Sequence, residues 1–192
     1  LKGRRAEFLH KVVRILLDGL SLRVVGVGEL EHPDVQVNAV SAAGARQSFV
    51  LLDGNGRAFL GLPNIDNRGR AYMAQVPEHD EIYRLSGKWA TEDFGAAKLL
   101  GLRMQHPEQY EAVESVLSLS EWIAWIFTGR KVMEYTQACE SQLYDIGQRS
   151  WSQTLCSFYG LRPEFLPPLQ AAGTAVGPIL DTYRRELGMA KD

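Results

Sequence analysis

The chain has 192 residues, of which 45% are hydrophobic and 23% are charged, and its formal net charge is −2. This composition is typical of a folded globular protein with one large or two small domains. The small net charge gives no electrostatic basis for binding nucleic acid or an anionic membrane surface, and the apolar runs are too short to span a bilayer.

The first 40 residues contain one predicted helix and two predicted strands. Apolar residues at near-helical spacing predict a helix over Lys2–Asp18 that ends at Gly19. Basic residues are spread through this segment, which argues against a signal peptide. The short β-branched run Leu22–Val27 predicts a strand or a buried turn, and the alternation in Val35–Val40 predicts a second strand.

The next segment is a predicted β-hairpin. Its two strands are the apolar runs Phe49–Leu52 and Arg57–Leu62. They are joined by Asp53-Gly54-Asn55-Gly56, in which Gly and Asn accept the positive φ angles of a tight turn at little steric cost. We expect both strands to lie in a mixed sheet, with the outer strand beside Val35–Val40.

The remainder of the chain is predicted to be mainly helical. Ser118 and Glu121 match the reciprocal capping pattern, in which each residue satisfies a free amide of the other. Trp122 and Trp125 lie three residues apart, a spacing that predicts packing in the core. The predicted helices are Asp66–Gln75, Asp80–Gly87, Phe94–Met104, Pro107–Glu114, Glu121–Thr128 and Trp151–Tyr159. The predicted strands in this part are Val116–Leu119 and Ala171–Pro178, and Leu161–Pro168 is predicted to be a loop.

Two polar segments flank the hairpin and are the candidate functional site. Arg46 and Gln47 precede it, and Asn64, Asp66 and Arg68 follow it. Because the two ends of a hairpin meet at its base, these side chains could converge on one cleft and offer both hydrogen-bond donors and acceptors to a polyol. The alternative left open is that Asp66 or Asn64 caps the following helix while the arginines stay solvated.

No other motif indicates a catalytic or metal site. The four histidines lack ligand spacing, so no metal site is predicted. Gly26-Val27-Gly28 favours a turn over a nucleotide-binding loop, because the third glycine of that motif is missing. Cys139 and Cys156 are predicted to be unpaired thiols of a cytoplasmic protein.

Four segments in a fixed order carry a family resemblance. They read "VSAAGARQSFVLLDGNGRAF", "NIDNR", "LSLSEWIAWIFTGRKVMEYTQACESQLYDIGQRSW" and "FLPPLQAAGTAVGPI". From about Ala39 to Ile179 the chain resembles the N-terminal domain of the FGGY carbohydrate kinases. That family includes glycerol kinase, xylulokinase, rhamnulokinase and the kinase of the bacterial furanosyl autoinducer, and the nearest branches are the autoinducer-2 kinase-like and xylulokinase- or rhamnulokinase-like ones.

The resemblance implies a fold and a set of substrate-binding residues. The implied fold is α/β, a ribonuclease-H-like, actin-type ATPase domain with a mixed sheet and flanking helices, incomplete at its N-terminus. Residues 1–192 are then a single partial domain. The family's sugar-contacting positions fall on Arg46, Gln47, Asn64, Asp66 and Asp93, with Arg68 in a supporting role. Asn64 stands where the family has a tryptophan, so a stacking contact with the sugar is not expected.

The activity implied by the resemblance is ATP-dependent phosphorylation of a sugar or polyol hydroxyl, with Mg as the metal. We expect the catalytic base and the ATP-binding segments outside this chain, so that the chain alone is inactive. The implied partner is a small sugar or polyol, with no nucleic acid and no membrane, and a homodimer is left open. The alternative from another class is a non-catalytic module that binds a small ligand or a protein partner.

Overall fold

The computed structural model describes residues 12–17, 20–25 and 39–186, with side chains for 39–184. The chain divides into two compact units, residues 1–40 with 181–192 and residues 41–180. This division does not test the prediction that residues 1–192 are a single partial domain, which stays a prediction. No helix among the described residues is long and apolar enough to cross a membrane.

In the first unit, strand β1 (Val12–Leu17) pairs antiparallel with strand β2 (Leu20–Val25). The predicted helix Lys2–Asp18 is wrong over Val12–Leu17, since this β-branched run forms a strand instead. Residues 2–11 of that prediction lie outside the described residues. The predicted strand Leu22–Val27 is confirmed over residues 22–25. Of the predicted strand Val35–Val40, residues 35–38 lie outside the described part, and residues 39 and 40 belong to no strand.

The second unit contains the predicted hairpin at its centre. Strand β3 (Phe49–Leu52) pairs antiparallel with β4 (Ala58–Leu62) on one side and with β5 (Ser115–Ser118) on the other. The hairpin prediction is thus confirmed. β3 is buried over its whole length. It is the central strand of the three, and its residues are apolar at every position. This sheet is antiparallel throughout its described strands; a parallel pair occurs between β6 (Met133–Glu134) and β9 (Leu169–Gln170).

Helices surround these strands and make the second unit a mixed α/β structure. The helices are α1 (His79–Ser86), α2 (Gly95–Gln105), α3 (Pro107–Glu111), α4 (Leu119–Thr128), α5 (Tyr135–Ser141), α6 (Gln153–Tyr159) and, in the first unit, α7 (Asp181–Glu186), with a 3-10 helix over Arg70–Gln75. A short antiparallel pair, β7 (Tyr144–Asp145) and β8 (Ser150–Trp151), precedes α6. Helices α1, α4 and α6 end at glycines in the left-handed conformation, as their sequence predicts.

Three local predictions differ from the structure. The capping pattern of Ser118 and Glu121 does not form, because the Oγ of Ser120 donates to the Glu121 carboxylate at 3.0 Å and lies 3.0 Å from the Ser118 Oγ. The predicted helix Asp66–Gln75 begins only at Arg70, since residues 64–69 form turns. Residues 171–178 form a turn and irregular backbone rather than a strand.

The prediction that the tryptophans pack in the core is confirmed for Trp122, and the prediction of unpaired cysteines is confirmed for both thiols. The Trp122 side chain is buried in the core, whereas Trp125 is partly buried and lies against the hairpin turn at Gly56. Cys139 and Cys156 are both free thiols, as predicted. Burial raises the pKa of the Cys156 thiol to about 11, so this thiol is protonated and unreactive at neutral pH.

Candidate functional site

The two polar segments that flank the hairpin lie next to each other. The β3–β4 pairing ends with Phe49 opposite Leu62, so the residues before Phe49 adjoin those after Leu62. We call residues 46–48 and 63–68 together the hairpin base. The structure therefore agrees with the expectation that Gln47 and Asn64 approach each other.

A buried lysine joins the two halves of the hairpin base. Lys98 lies on α2, its side chain is 0% exposed, and its Nζ donates to three backbone carbonyls. The distances from Nζ are 2.6 Å to the Gln47 oxygen, 2.9 Å to the Pro63 oxygen and 3.2 Å to the Asn64 oxygen. An ammonium has three N–H donors, so all of its hydrogen-bonding capacity is used.

The charge of this lysine is set by two opposing effects. Removal from water lowers the pKa of Lys98 below its ordinary value, and this is the larger effect. The nearby carboxylates of Asp66 and Asp93 raise the pKa, whereas the Arg68 guanidinium lowers it. Both candidate aspartates therefore lie close enough to Lys98 to act on its charge, and they favour the ammonium form.

Gln47 adopts a backbone conformation that is uncommon for a residue with a side chain. Its φ angle is +59°, in the left-handed region. Such a conformation costs about 1–3 kcal/mol when it persists in a folded protein, and it is concentrated at functional sites. The carbonyl of this residue is held by Lys98, while its half-buried side-chain amide bonds no described residue.

Asp66 and Arg68 form a locked pair in the second half of the hairpin base. The Asp66 Oδ1 accepts from the Arg68 backbone amide at 3.0 Å, and both carboxylate oxygens accept from the Arg68 Nε at 3.0 Å. The Arg68 Nη2 lies 2.8 Å from Asp66 Oδ2. Asp66 thus stabilises the turn in which it lies. It does not cap the next helix, which begins at Arg70 behind Gly69 and has no side-chain cap.

Two glycines let the Asp66 loop approach helix α2 closely. A Cβ on Gly69 would overlap the Ala97 carbonyl oxygen, and a Cβ on Gly101 would lie 2.5 Å from the Arg68 carbonyl carbon. Real Cβ atoms do not make such contacts, so each position requires the absence of a side chain. The Gln105 side-chain amide also donates to the Arg68 carbonyl at 3.1 Å.

The remaining candidate residues lie at the surface. Arg46 and Asn64 are exposed, and the Arg46 guanidinium has no hydrogen-bond or ion-pair partner among the described residues. Asp93 is exposed and accepts from the Thr91 hydroxyl at 3.3 Å. Among the described residues, Asp93 makes no hydrogen bond to the hairpin base. Its carboxylate acts on this region by raising the pKa of Lys98.

Sequence reasoning missed Lys98, although the chain contains a signal for it. In the segment "GAAKLLGL" the lysine is the one charged residue among small and apolar residues of a predicted helix. A helix that is apolar on every side is normally buried, and a lysine within it must find several partners. No group of three or more metal-ligating side chains occurs in the part of the chain that the structure describes.

Known proteins resemble this chain in sequence. Residues 24–192 match the FGGY family of carbohydrate kinases, N-terminal domain. The Bacillus subtilis protein named "Putative sugar kinase YoaC" is 42% identical over 157 residues, which are 82% of this chain and 32% of that protein. Autoinducer-2 kinase of Salmonella choleraesuis is 31% identical over 153 residues, which are 77% of this chain and 29% of that protein.

A solved structure agrees at the level of the fold. The ligand-bound xylulose kinase from Lactobacillus acidophilus superposes with a TM-score of 0.76 at 21% identity, over 83% of this chain and 33% of that chain. This chain thus spans about a third of the length of the relatives it matches. The mixed α/β unit has the actin-like ATPase fold expected from the sequence. The chain belongs to the FGGY family of carbohydrate kinases, and its match is to the N-terminal domain of that family.

Proposed function

We propose that the whole protein phosphorylates a hydroxyl of a sugar or polyol with ATP, and that this chain supplies part of the sugar-binding surface. The observation that carries the proposal is the hairpin base. There the backbone carbonyls of Gln47 and Asn64 meet at Lys98. The side chains of Arg46, Gln47 and Asn64 make no hydrogen bond to another described residue. Relatives named as sugar, autoinducer-2 and xylulose kinases support the same substrate class.

The chemistry of these side chains suits a polyhydroxylated ligand. Each sugar hydroxyl both donates and accepts a hydrogen bond, so its site needs both kinds of partner. The guanidinium of Arg46 supplies donors, and the amides of Gln47 and Asn64 supply both. Asp93 adds a carboxylate acceptor. The Asp66 oxygens already accept from the Arg68 amide and guanidinium, so Asp66 binds a sugar hydroxyl only in exchange for one of these bonds.

The family is the support for including ATP and Mg in this proposal. Bound MgATP would supply the transferred phosphoryl group, and the chain's own residues would bind and orient the sugar. The described residues contain no group of three or more side chains fitted to hold a metal ion. We assign the described residues no step of the transfer, and the position of the base and of the metal ligands stays a prediction.

The free thiols support a cytoplasmic location as part of this proposal, because reducing compartments keep cysteines unpaired. A homodimer stays a prediction.

Asp66→Ala in the whole protein tests the sugar site. A hydrogen bond to a charged group contributes about 1.5–3 kcal/mol, so we expect sugar affinity to fall by about ten- to a hundredfold. Loss of the turn bond to Arg68 should also lower the free energy of unfolding by about 1 kcal/mol. Affinity is measured by calorimetry with D-xylulose, L-rhamnulose and glycerol, and stability by urea unfolding.

Asp53→Ala is the matched control. Asp53 makes the same kind of turn at the other end of the hairpin, where its Oδ1 accepts from Asn55 at 2.9 Å and Arg57 at 2.8 Å. It should lose similar stability and keep full sugar affinity. If Asp66→Ala and Asp53→Ala behave alike, Asp66 is only a turn residue. Sugar binding without ATP-dependent phosphorylation would point instead to a non-catalytic binding module.

A further inference from the structure

We propose that Lys98 is a positioning residue for sugar binding, which fixes the spacing between the two halves of the hairpin base without touching the sugar. This inference rests on the proposed function, since it concerns the same surface. Nothing in the sequence pattern of the hairpin itself points to α2, so the contribution of this helix emerges only from the structure.

The geometry carries the inference. The strand pairing of the hairpin stops at Phe49 and Leu62, and beyond that point the halves carry the candidate side chains. Lys98 Nζ then bonds the Gln47 carbonyl on one side and the Pro63 and Asn64 carbonyls on the other. Bonds from a charged donor are shorter and stronger than neutral ones, so a single atom sets the distance between the segments.

The backbone that Lys98 holds is the part of the site that most needs support. Gln47 lies in the left-handed region at φ +59°, and residues persist there only when their surroundings over-determine the conformation. The Nζ–oxygen distance of 2.6 Å at Gln47 is the shortest of the three bonds. Release of this carbonyl would let the Gln47 backbone relax and change the direction of its side-chain amide.

A purely structural lysine would be a costly choice at this position. Transfer of an ammonium into the interior is unfavourable unless it is fully bonded, and an apolar residue could be buried at this position without that cost. What lysine adds over leucine or methionine is the link between the two polar segments. The aspartates that lie nearest its charge, Asp66 and Asp93, are themselves candidate sugar ligands.

The test compares Lys98→Met with Lys131→Met in the whole protein. Lys131 lies between α4 and β6, outside the hairpin base, so its variant controls for the loss of one positive charge. The steady-state KM for D-xylulose, L-rhamnulose or glycerol is measured against the KM for ATP. Hydrogen–deuterium exchange of residues 46–48 and 63–68 is followed in the same samples.

We expect Lys98→Met to raise the sugar KM at least tenfold, to leave the ATP KM within twofold, and to speed exchange in both segments. Lys131→Met should change none of these. A folded Lys98→Met protein with a sugar KM within twofold of wild type would overturn the positioning role.

A second variant covers the case in which Lys98→Met does not fold. Lys98→Gln keeps two N–H donors for two of the three carbonyls, and it should raise the sugar KM at least threefold; an unchanged KM would overturn the inference.

If the wild-type protein phosphorylates none of the three probes, the proposed function fails. Exchange in residues 46–48 and 63–68 then decides the positioning role alone, which unchanged exchange would overturn.

Discussion

Two glutamines adopt the same uncommon backbone conformation in two different settings. Gln47 has φ +59° at the hairpin base, and Gln142 has φ +63° at the end of α5. Gln142 is 0% exposed, and its Nε2 donates to the Lys88 and Trp89 carbonyls at 3.0 and 2.9 Å. Its Oε1 accepts from the Tyr159 hydroxyl at 2.6 Å. The side chain of Gln142 is thus fully used by the protein, whereas the side chain of Gln47 is not.

Under the proposed function, this difference distinguishes a strained backbone that serves the fold from one that serves ligand binding. At Gln142 the side chain explains the conformation, because it binds the backbone beyond α1 and the phenol on α6. Burial raises the pKa of the Tyr159 phenol well above its ordinary value, so this group stays protonated and donates. At Gln47 the same backbone cost leaves an amide available at the surface, which is the arrangement expected of a ligand-binding residue.

The comparison predicts its largest contrast in stability. Gln142→Ala leaves the Tyr159 hydroxyl and two carbonyls without their buried partner, which should lower the free energy of unfolding by about 3 kcal/mol. Gln47→Ala removes no side-chain hydrogen bond to a described residue and should change stability by less than about 0.5 kcal/mol. Urea unfolding of both variants provides the measurement. Equal losses in the two variants would show that the Gln47 side chain has a structural partner after all.

The second prediction concerns how the other half of the hairpin base is held. Gly101→Ala places a methyl group against the Arg68 backbone and should destabilise the protein by about 2 kcal/mol, because the loop must move off α2. Sugar affinity should fall with it. Gly54→Ala is the control, since a Cβ at that exposed turn has no atom within 4 Å. An unchanged melting temperature for Gly101→Ala would mean that the loop is free to shift.

The sequence predicted the parts of the fold that depend on local pattern. Two apolar runs and the Asp-Gly-Asn-Gly turn were sufficient to predict the β3–β4 hairpin, and terminal glycines were sufficient to predict the ends of α1, α4 and α6. Tertiary pairing decided the rest. Val12–Leu17 has apolar residues near helical spacing but pairs with Leu20–Val25, and the second partner of β3 proved to be β5, which lies far along the chain.

The candidate site was predictable only in part for the same reason. That Gln47 and Asn64 would adjoin follows from the hairpin alone. The three carbonyls around Lys98 come from residues 34 to 51 positions away, and no local pattern encodes that distance. The pairing of Asp66 with Arg68 is local, yet the sequence left a helix cap at Asp66 open as the alternative, because it predicted a helix start four residues before Arg70.

The smallest expected effect gives the sharpest test of the comparison. Gln47→Gly keeps the left-handed backbone, which glycine adopts freely, and removes only the side chain. We expect the free energy of unfolding to rise by about 0.5–1 kcal/mol, because the steric cost of the left-handed conformation disappears. Sugar affinity should nevertheless fall severalfold, because the amide is lost. Gln142→Gly removes the same cost but also the three side-chain hydrogen bonds of Gln142, so it should lose stability in spite of the relief. Urea unfolding and sugar calorimetry on both variants distinguish the two roles.

If Gln47→Gly keeps wild-type affinity, the side chain does not contact the sugar, and the left-handed turn serves only to present its carbonyl to Lys98.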